Sequence, residues 1–256
     1  MDPATLIGIV LAVGALLTMM IMEGSSPMAI VLIPPLILVF GGTFGAAIAG
    51  SAMADVKKVG AWFKMALMPA KVPPVSDRIA TLVSLAEKAR KEGLLALEAE
   101  VKKIDDPFLK RGLQMSIDGT DPEDLRAILE GEISAKKAED KSAAKFFNAM
   151  GGYAPTIGII GTVIGLIHVM EQLTDPASIG PLIASAFVAT LWGVLSANVF
   201  WLPMGAKITR TSEMQAASME LLVEGIAEIQ AGTSPRTVRQ KLTSLVPPGE
   251  QAKEAA

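Results

Sequence analysis

Where basic residues are missing constrains this chain more than any other feature. All 23 Lys and Arg lie between Lys57 and Lys145 or between Lys207 and Lys253, and none falls in residues 1–50 or 146–206. A charge in the hydrocarbon of a bilayer costs several kcal/mol, so zones this long without basic groups mark membrane. Each zone holds two uncharged runs joined by a short polar loop: 5–22 and 27–50 around "EGSS", then 146–170 and 179–206 around "EQLTDPAS". A span needs about 20 apolar residues, so each run is long enough for one helix. With 51% hydrophobic residues and a mean hydropathy of +0.45 over 256 residues, the composition agrees. The predicted fold is all-α: a polytopic membrane protein with four transmembrane helices and a helical cytoplasmic domain.

Orientation follows from the short flanking segments, where Lys and Arg stay on the cytoplasmic side. The two outer loops carry only Glu23, Glu171 and Asp175, whereas "DVKKVGAWFK" follows the second run and "KSAAKFF" precedes the third. Residues 51–145 and 207–256 are therefore expected in the cytoplasm, with both termini. No basic segment precedes the first run and no small-residue cleavage pattern follows it, so it is expected to stay as a span rather than leave as a signal peptide.

The domains expected are spans one and two in 1–50, a helical cytoplasmic insert in 51–145, spans three and four in 146–206, C-terminal cytoplasmic helices in 207–246, and a disordered tail in 247–256. Within the insert, Ser76 before Asp77 reads as the N-cap of a helix to about Arg90, with Ile79, Leu82, Val83, Leu85 and Ala86 on its apolar side. Gly93 allows a break before "LLALEAEVKK" restarts the helix. Asp106–Pro107 and Asp121–Pro122 are N-cap and N1 pairs. A helix over 208–229 and a short one from Ser234–Pro235 complete the set, and the proline-broken end "PPGEQAKEAA" is too polar to pack.

The four runs contain no Asp, Glu, Lys or Arg. If ions cross this protein, a partner has to bring the ionisable carrier. Span three sets Gly158, Gly161 and Gly165 on one helix face beside Thr162, and span four has Ser185, Ala186, Ala189, Thr190 and Gly193. Small residues let a second backbone come close, and a threonine can then bond across the contact. Two readings stay open: ordinary tight packing, or a socket for a foreign helix with hydroxyls near an ion. Pro155 early in span three and Pro203 late in span four each remove a backbone donor, as a plain kink or as a hinge. Pro34–Pro35, in the middle of the second run, read as packing and kinking devices. His168, the only histidine, fits an interfacial residue better than a proton relay. With no cysteine and no nucleotide loop, no catalytic constellation, resident cofactor or metal site can be assembled, and no nucleic-acid partner is expected.

Four phrases together resemble the MotA/PomA family of flagellar stator subunits: "ARKEGLLALE" at 89–98, "GGYAPTIGIIGTVIGLIHVM" at 151–170, "IGPLIASAFVATLWGVLSANVFWLPMGAKI" at 179–208 and "GIAEIQAGTSPRTVRQKL" at 225–242. The resemblance implies a homopentamer around two single-span MotB-type subunits whose membrane aspartate carries the ion. It implies a place in the bacterial inner membrane at the flagellar basal body, and a cytoplasmic insert that pushes on the switch-ring protein FliG. It makes Arg90 and Glu98 the rotor-facing charged pair, about 80° apart if one helix ran through both. It also makes Pro155 and Pro203 the torque-linked prolines, and Thr162 and Thr190 the hydroxyls of the ion path. Sodium-driven relatives tend to have two threonines where this chain has Ala189–Thr190, so the expected ion is the proton. Sodium is the alternative if backbone carbonyls or the partner supply the missing oxygen. The rival families are ExbB/TolQ-type energisers, which share the last two spans but lack "ARKEGLLALE", and a scaffold or channel subunit that does not rotate.

Overall fold

The computed structural model describes residues 2–69 and 72–247, and every regular element among them is helical. The chain divides into two units: 2–69 with 140–210, and 72–139 with 211–247. The division falls near 70 and 140 rather than at the expected 51 and 145, because the segment after the second apolar run packs with the spans.

In the first unit, α1 (Pro3–Met22) opens on an Asp2 N-cap that accepts from the Ala4 N–H at 3.2 Å, with Pro3 in the first turn. Only Met20 of this helix is buried, while Ile7, Val10 and Leu11 are exposed, as lipid-facing residues would be. Among the described residues, three helices are long and apolar enough to cross a membrane: α1, α6 (Pro122–Glu171) and α7 (Pro176–Gln230). The second run differs from expectation. Its helix, α2, covers Ile33–Ala49, which at 1.5 Å per residue is about 26 Å, near the lower limit for a span. Residues Pro27–Ile30 form a separate 3-10 turn. Pro34 and Pro35 are not mid-helix kinks: they sit in the first turn, where the missing N–H groups have no helical acceptor to serve.

An aromatic cluster joins these helices. Trp62 and Phe63 of α3 (Val59–Leu67) meet Phe146 and Phe147 of α6, with ring centroids 5.7 and 5.0 Å apart, and Phe63 and Phe40 both reach Trp201 of α7 at 6.3 and 6.2 Å. Edge-on and tilted ring pairs of this kind add to simple area burial. The chain start is tied down as well. Lys207 donates to Asp2 and to Thr5, each at 2.8 Å, and the Asp2 N–H donates to the Leu67 carbonyl at 3.1 Å. The hydrogen bond from Lys207, supported by one from the Ala4 N–H, holds the Asp2 carboxyl below the usual carboxylate range.

In the second unit, α4 runs Val75–Glu92 and buries Ile79, Leu82, Leu85, Ala86 and Ala89, with Val83 only partly covered. Its cap is not Ser76: the extended backbone of Pro74 starts the helix two residues earlier, and the Ser76 hydroxyl turns to Asp77. The two Asp–Pro starts are present. Asp106 accepts from the N–H groups of Phe108 and Leu109 at the head of α5 (Pro107–Ile117), and Asp121 accepts from Glu123 at the head of α6. Ser234 accepts from the Thr237 N–H to cap α8 (Pro235–Ser244), which buries Val238 and Leu242 in the same core. The tail expected to be disordered lies, from residue 248 on, outside the described residues.

The end of α7 is pinned to α8 by Lys241, which donates to Glu228, a carboxylate only 7% exposed. Burial raises the Glu228 pKa, but hydrogen bonds from Lys241 and Thr233 outweigh it and leave the carboxyl below its usual range. A depressed native pKa means that the stabilisation is complete above the unfolded carboxylate pKa, about 4.3, and is lost as pH falls through the native value. The protection of residues 235–246 against hydrogen exchange, taken relative to the intrinsic rate at each pH, should therefore fall in the purified protein as pH drops below about 4.3. Glu228→Gln should flatten that dependence, and an unchanged acid profile in the variant would refute the assignment.

Candidate functional site

The apolar third of α6 and the first half of α7 meet along their glycines. A methyl group added at Gly158 would stand 2.8 Å from the Ala189 carbonyl oxygen and 3.1 Å from the Thr190 Cα. At Gly193 it would stand 2.6 Å from the Ala154 carbonyl oxygen, at Gly165 2.6 Å from the Ala186 Cβ, and at Gly161 2.7 Å from the Ala189 Cβ and 2.8 Å from Leu38 of α2. At each position at least one of these distances is shorter than Cβ atoms approach other atoms, so the two backbones are in contact and only glycine fits there. Inside one copy of the chain, then, the glycine stripe performs the tight packing of span three on span four.

That contact brings the two threonines together. The Thr162 and Thr190 hydroxyls bond to each other. Thr162 Oγ1 also lies 3.0 Å from the Ala186 carbonyl and 3.2 Å from that of Gly158, and Thr190 Oγ1 lies 3.3 Å from the Gly158 carbonyl. Two hydroxyl protons cannot serve all four contacts at once, so the hydrogen bonds can exchange among four oxygens. Both side chains are half-buried. The result is an uncharged cluster of oxygens in an apolar wall, able to bond water or a partly dehydrated cation but not to carry charge itself. Ala189 takes another position: it is 2% exposed with its methyl on Gly161, so it contributes packing and no oxygen.

The prolines flank this contact. Pro155, inside α6, leaves the Gly151 carbonyl without its helical donor, and Gly151 itself is closed over by Leu202. Pro203 follows a π turn at Ala197–Trp201, where the Leu202 N–H reaches back five residues to the Ala197 carbonyl. The wider turn carries the hydrogen-bond register past a residue that has no N–H. Trp192 Nε1 donates to the Ile30 carbonyl at 2.6 Å, fastening span four to the turn before α2. His168 is exposed and lies 3.3 Å from Glu171, six residues beyond Thr162 toward the end of α6.

Arg90 and Glu98 do not share a helix. α4 ends at Glu92, Gly93 adopts φ +86°, and a 3-10 turn at Leu94–Leu97 precedes a single helical turn at Glu98–Val101. The 80° estimate therefore does not apply, because glycine in the left-handed region breaks the helix between them. Their charge state is distinctive all the same. Glu87 pairs with Lys91 at 2.6 Å, and Glu100 pairs with Lys88 and Lys103 at 2.8 and 3.2 Å. Arg90 and Glu98 are exposed and form no ion pair among the described residues.

Sequence patterning did not single out Leu38, Trp192 or the Lys207–Asp2 tie. The first is an ordinary apolar residue whose neighbours are set by tertiary contact, and the last joins residues far apart in the chain.

Fold and site define a helical membrane protein built around two neutral spans in glycine-mediated contact. Residues 100–221 match the MotA/TolQ/ExbB proton channel family, and residues 6–93 match the motility protein A N-terminal family. Motility protein A of Bacillus subtilis (strain 168) is 35% identical over 100% of this chain and 94% of its own length. Its counterpart in Helicobacter pylori (strain 26695) is 34% identical over 99% and 98%. The solved flagellar MotAB stator complex from Bacillus subtilis contains a chain with a TM-score of 0.92, 34% identity, and coverage of 99% of this chain and 100% of that one. The chain belongs to the motility protein A family of flagellar stator subunits. The N-terminal match and the full-length relatives separate it from the ExbB/TolQ energisers, which the shared 100–221 match alone would not do.

Proposed function

We propose that this stator subunit works with a MotB-type single-span partner whose membrane aspartate carries protons past the Thr162–Thr190 oxygen cluster, and that it converts their flow into torque. Five copies surround two partner subunits in the bacterial inner membrane at the flagellar basal body, with both termini in the cytoplasm. Residues 27–50 make the fourth crossing, the short α2 being completed by the turn before it. Lipid covers the exposed face of α1. The Gly158–Gly193 contact holds the threonine edge toward the partner helix, and Pro155 and Pro203 act as hinges that pass movement to the cytoplasmic unit. Arg90 and Glu98 face FliG. The chain carries no enzymatic step and no resident cofactor.

The observation that supports this best is the paired hydroxyls between spans that contain no Asp, Glu, Lys or Arg. Such a site can steady an ion but needs a foreign acid to move one. With Ala189 offering a methyl where a second oxygen would help strip water from sodium, the proton is the ion this site suits. Swimming of cells that depend on this chain should persist in sodium-free buffer and stop within seconds of adding a protonophore. Arrest on sodium removal with the proton gradient intact would reverse the choice of ion.

A further inference from the structure

We infer that Leu95 is the apolar anchor of the rotor-facing surface, seated in a hydrophobic hollow on the partner, with Arg90 and Glu98 as its charged rim. The inference rests on the rotor-facing reading and adds to it the residue that fixes the contact. Gly93 ends α4 with a positive φ, and its N–H still bonds to the Ala89 carbonyl at 2.8 Å, so the chain turns sharply out of the helix. In the turn that follows, Leu94 packs against the core, Leu97 is 0% exposed and Val101 2%. Leu95 alone points out, at 71% exposure, the highest of any large apolar side chain in its unit.

A single exposed leucine needs no explanation by itself. Three observations set this one apart. Leu94, packed on the core, and the buried Leu97 hold its backbone, so docking would cost little ordering. In a 3-10 turn residues three apart lie on one side, which places Leu95 over Glu98. The charges around it differ as well: Glu87, Lys88, Lys91, Glu100 and Lys103 are engaged in ion pairs, whereas Arg90, five positions before Leu95, and Glu98, three after, belong with Glu92 and Lys102 to the exposed charges that form none among the described residues, and they present both signs near it. A complementary surface therefore offers an acid and a base on either side of an apolar hollow. In such an arrangement the rim charges set encounter rate and register, and the desolvated centre sets how long the contact lasts.

The test uses the full complex of this chain with its single-span partner, binding to purified switch-ring protein at 50 and 300 mM salt, alongside motor torque in cells. Leu95→Ser should weaken binding about tenfold at both salt concentrations, as expected for losing a buried leucine, and should lower torque. Leu95→Met should restore most of both. Arg90→Glu should weaken binding at low salt and less at high salt. Leu245→Ser, at an exposed leucine elsewhere in the unit, should change neither. If Leu95→Ser binds and turns as the wild type while Arg90→Glu is impaired, the anchor is overturned and the rotor-facing reading stands. If neither matters, the rotor-facing reading falls and the anchor with it. A Met variant as weak as Ser, or an equal loss in Leu245→Ser, would also overturn the anchor.

Discussion

Gly158→Leu is expected to abolish swimming without preventing membrane insertion. A Cβ at position 158 alone would lie 2.8 Å from the Ala189 carbonyl oxygen, 3.1 Å from the Thr190 Cα and 3.2 Å from the Gly193 Cα. These are backbone atoms, so no rotamer change can relieve the overlap, and a branched side chain has to push the two spans apart. Forcing extra atoms into packed sites costs about 1–3 kcal/mol when side chains can adjust, and backbone contact raises that. A displacement of even 1 Å would separate the Thr162 and Thr190 hydroxyls, because their bond and the three neighbouring carbonyl contacts all bridge or abut this seam. Insertion survives because it depends on hydropathy, which leucine increases. Gly14→Ala supplies the contrast, since nothing lies within 4 Å of that position. The measurements are swimming in soft agar and the amount of protein in the membrane fraction. Motile Gly158→Leu cells would remove the glycine seam from the mechanism.

How much of this was legible beforehand depended on whether the cause was local. The basic-free zones, the two Asp–Pro starts and the Ser234 cap are properties of a few adjacent residues, and each appears where its side chain predicts. Pro34–Pro35 misled because hydropathy marks where apolar residues are and not where a helix begins; the prolines themselves set that start. Ser76 lost the cap to Pro74, whose fixed φ already supplies the extended geometry a cap needs. Thr162 and Thr190 could be singled out as hydroxyls in neutral spans. Which partner their stripe faces could not, since a small-residue face fits a neighbouring span of the same chain and a foreign helix equally well. The aromatic cluster from Phe40 to Trp201 was invisible because it pairs residues from four separate segments.

The second large effect concerns the hydroxyls themselves. Thr190→Val keeps shape and volume but removes one oxygen and one proton from a group of four oxygens. If the pair serves only as a staple between spans, a valine should be tolerated: removing one partner leaves the Thr162 hydroxyl with the Ala186 carbonyl at 3.0 Å, so no donor is orphaned and the cost stays near the 0.5–1.5 kcal/mol of one ordinary hydrogen bond, roughly. If the pair steadies an ion on its way to or from the partner's carboxylate, the same change removes a ligand from a desolvated path. Proton conductance should then fall at least about tenfold, the effect of a barrier raised by about 1.4 kcal/mol. Thr190→Ser keeps the oxygen and should conduct nearly as the wild type, although it packs less well. The two accounts therefore order Ser and Val oppositely: stability favours Val and conduction favours Ser. Proton flux into vesicles holding the complete complex, compared with its thermal stability in detergent, separates them. Equal flux for Thr190→Val and the wild type would leave the hydroxyl pair as packing and move the ion path elsewhere.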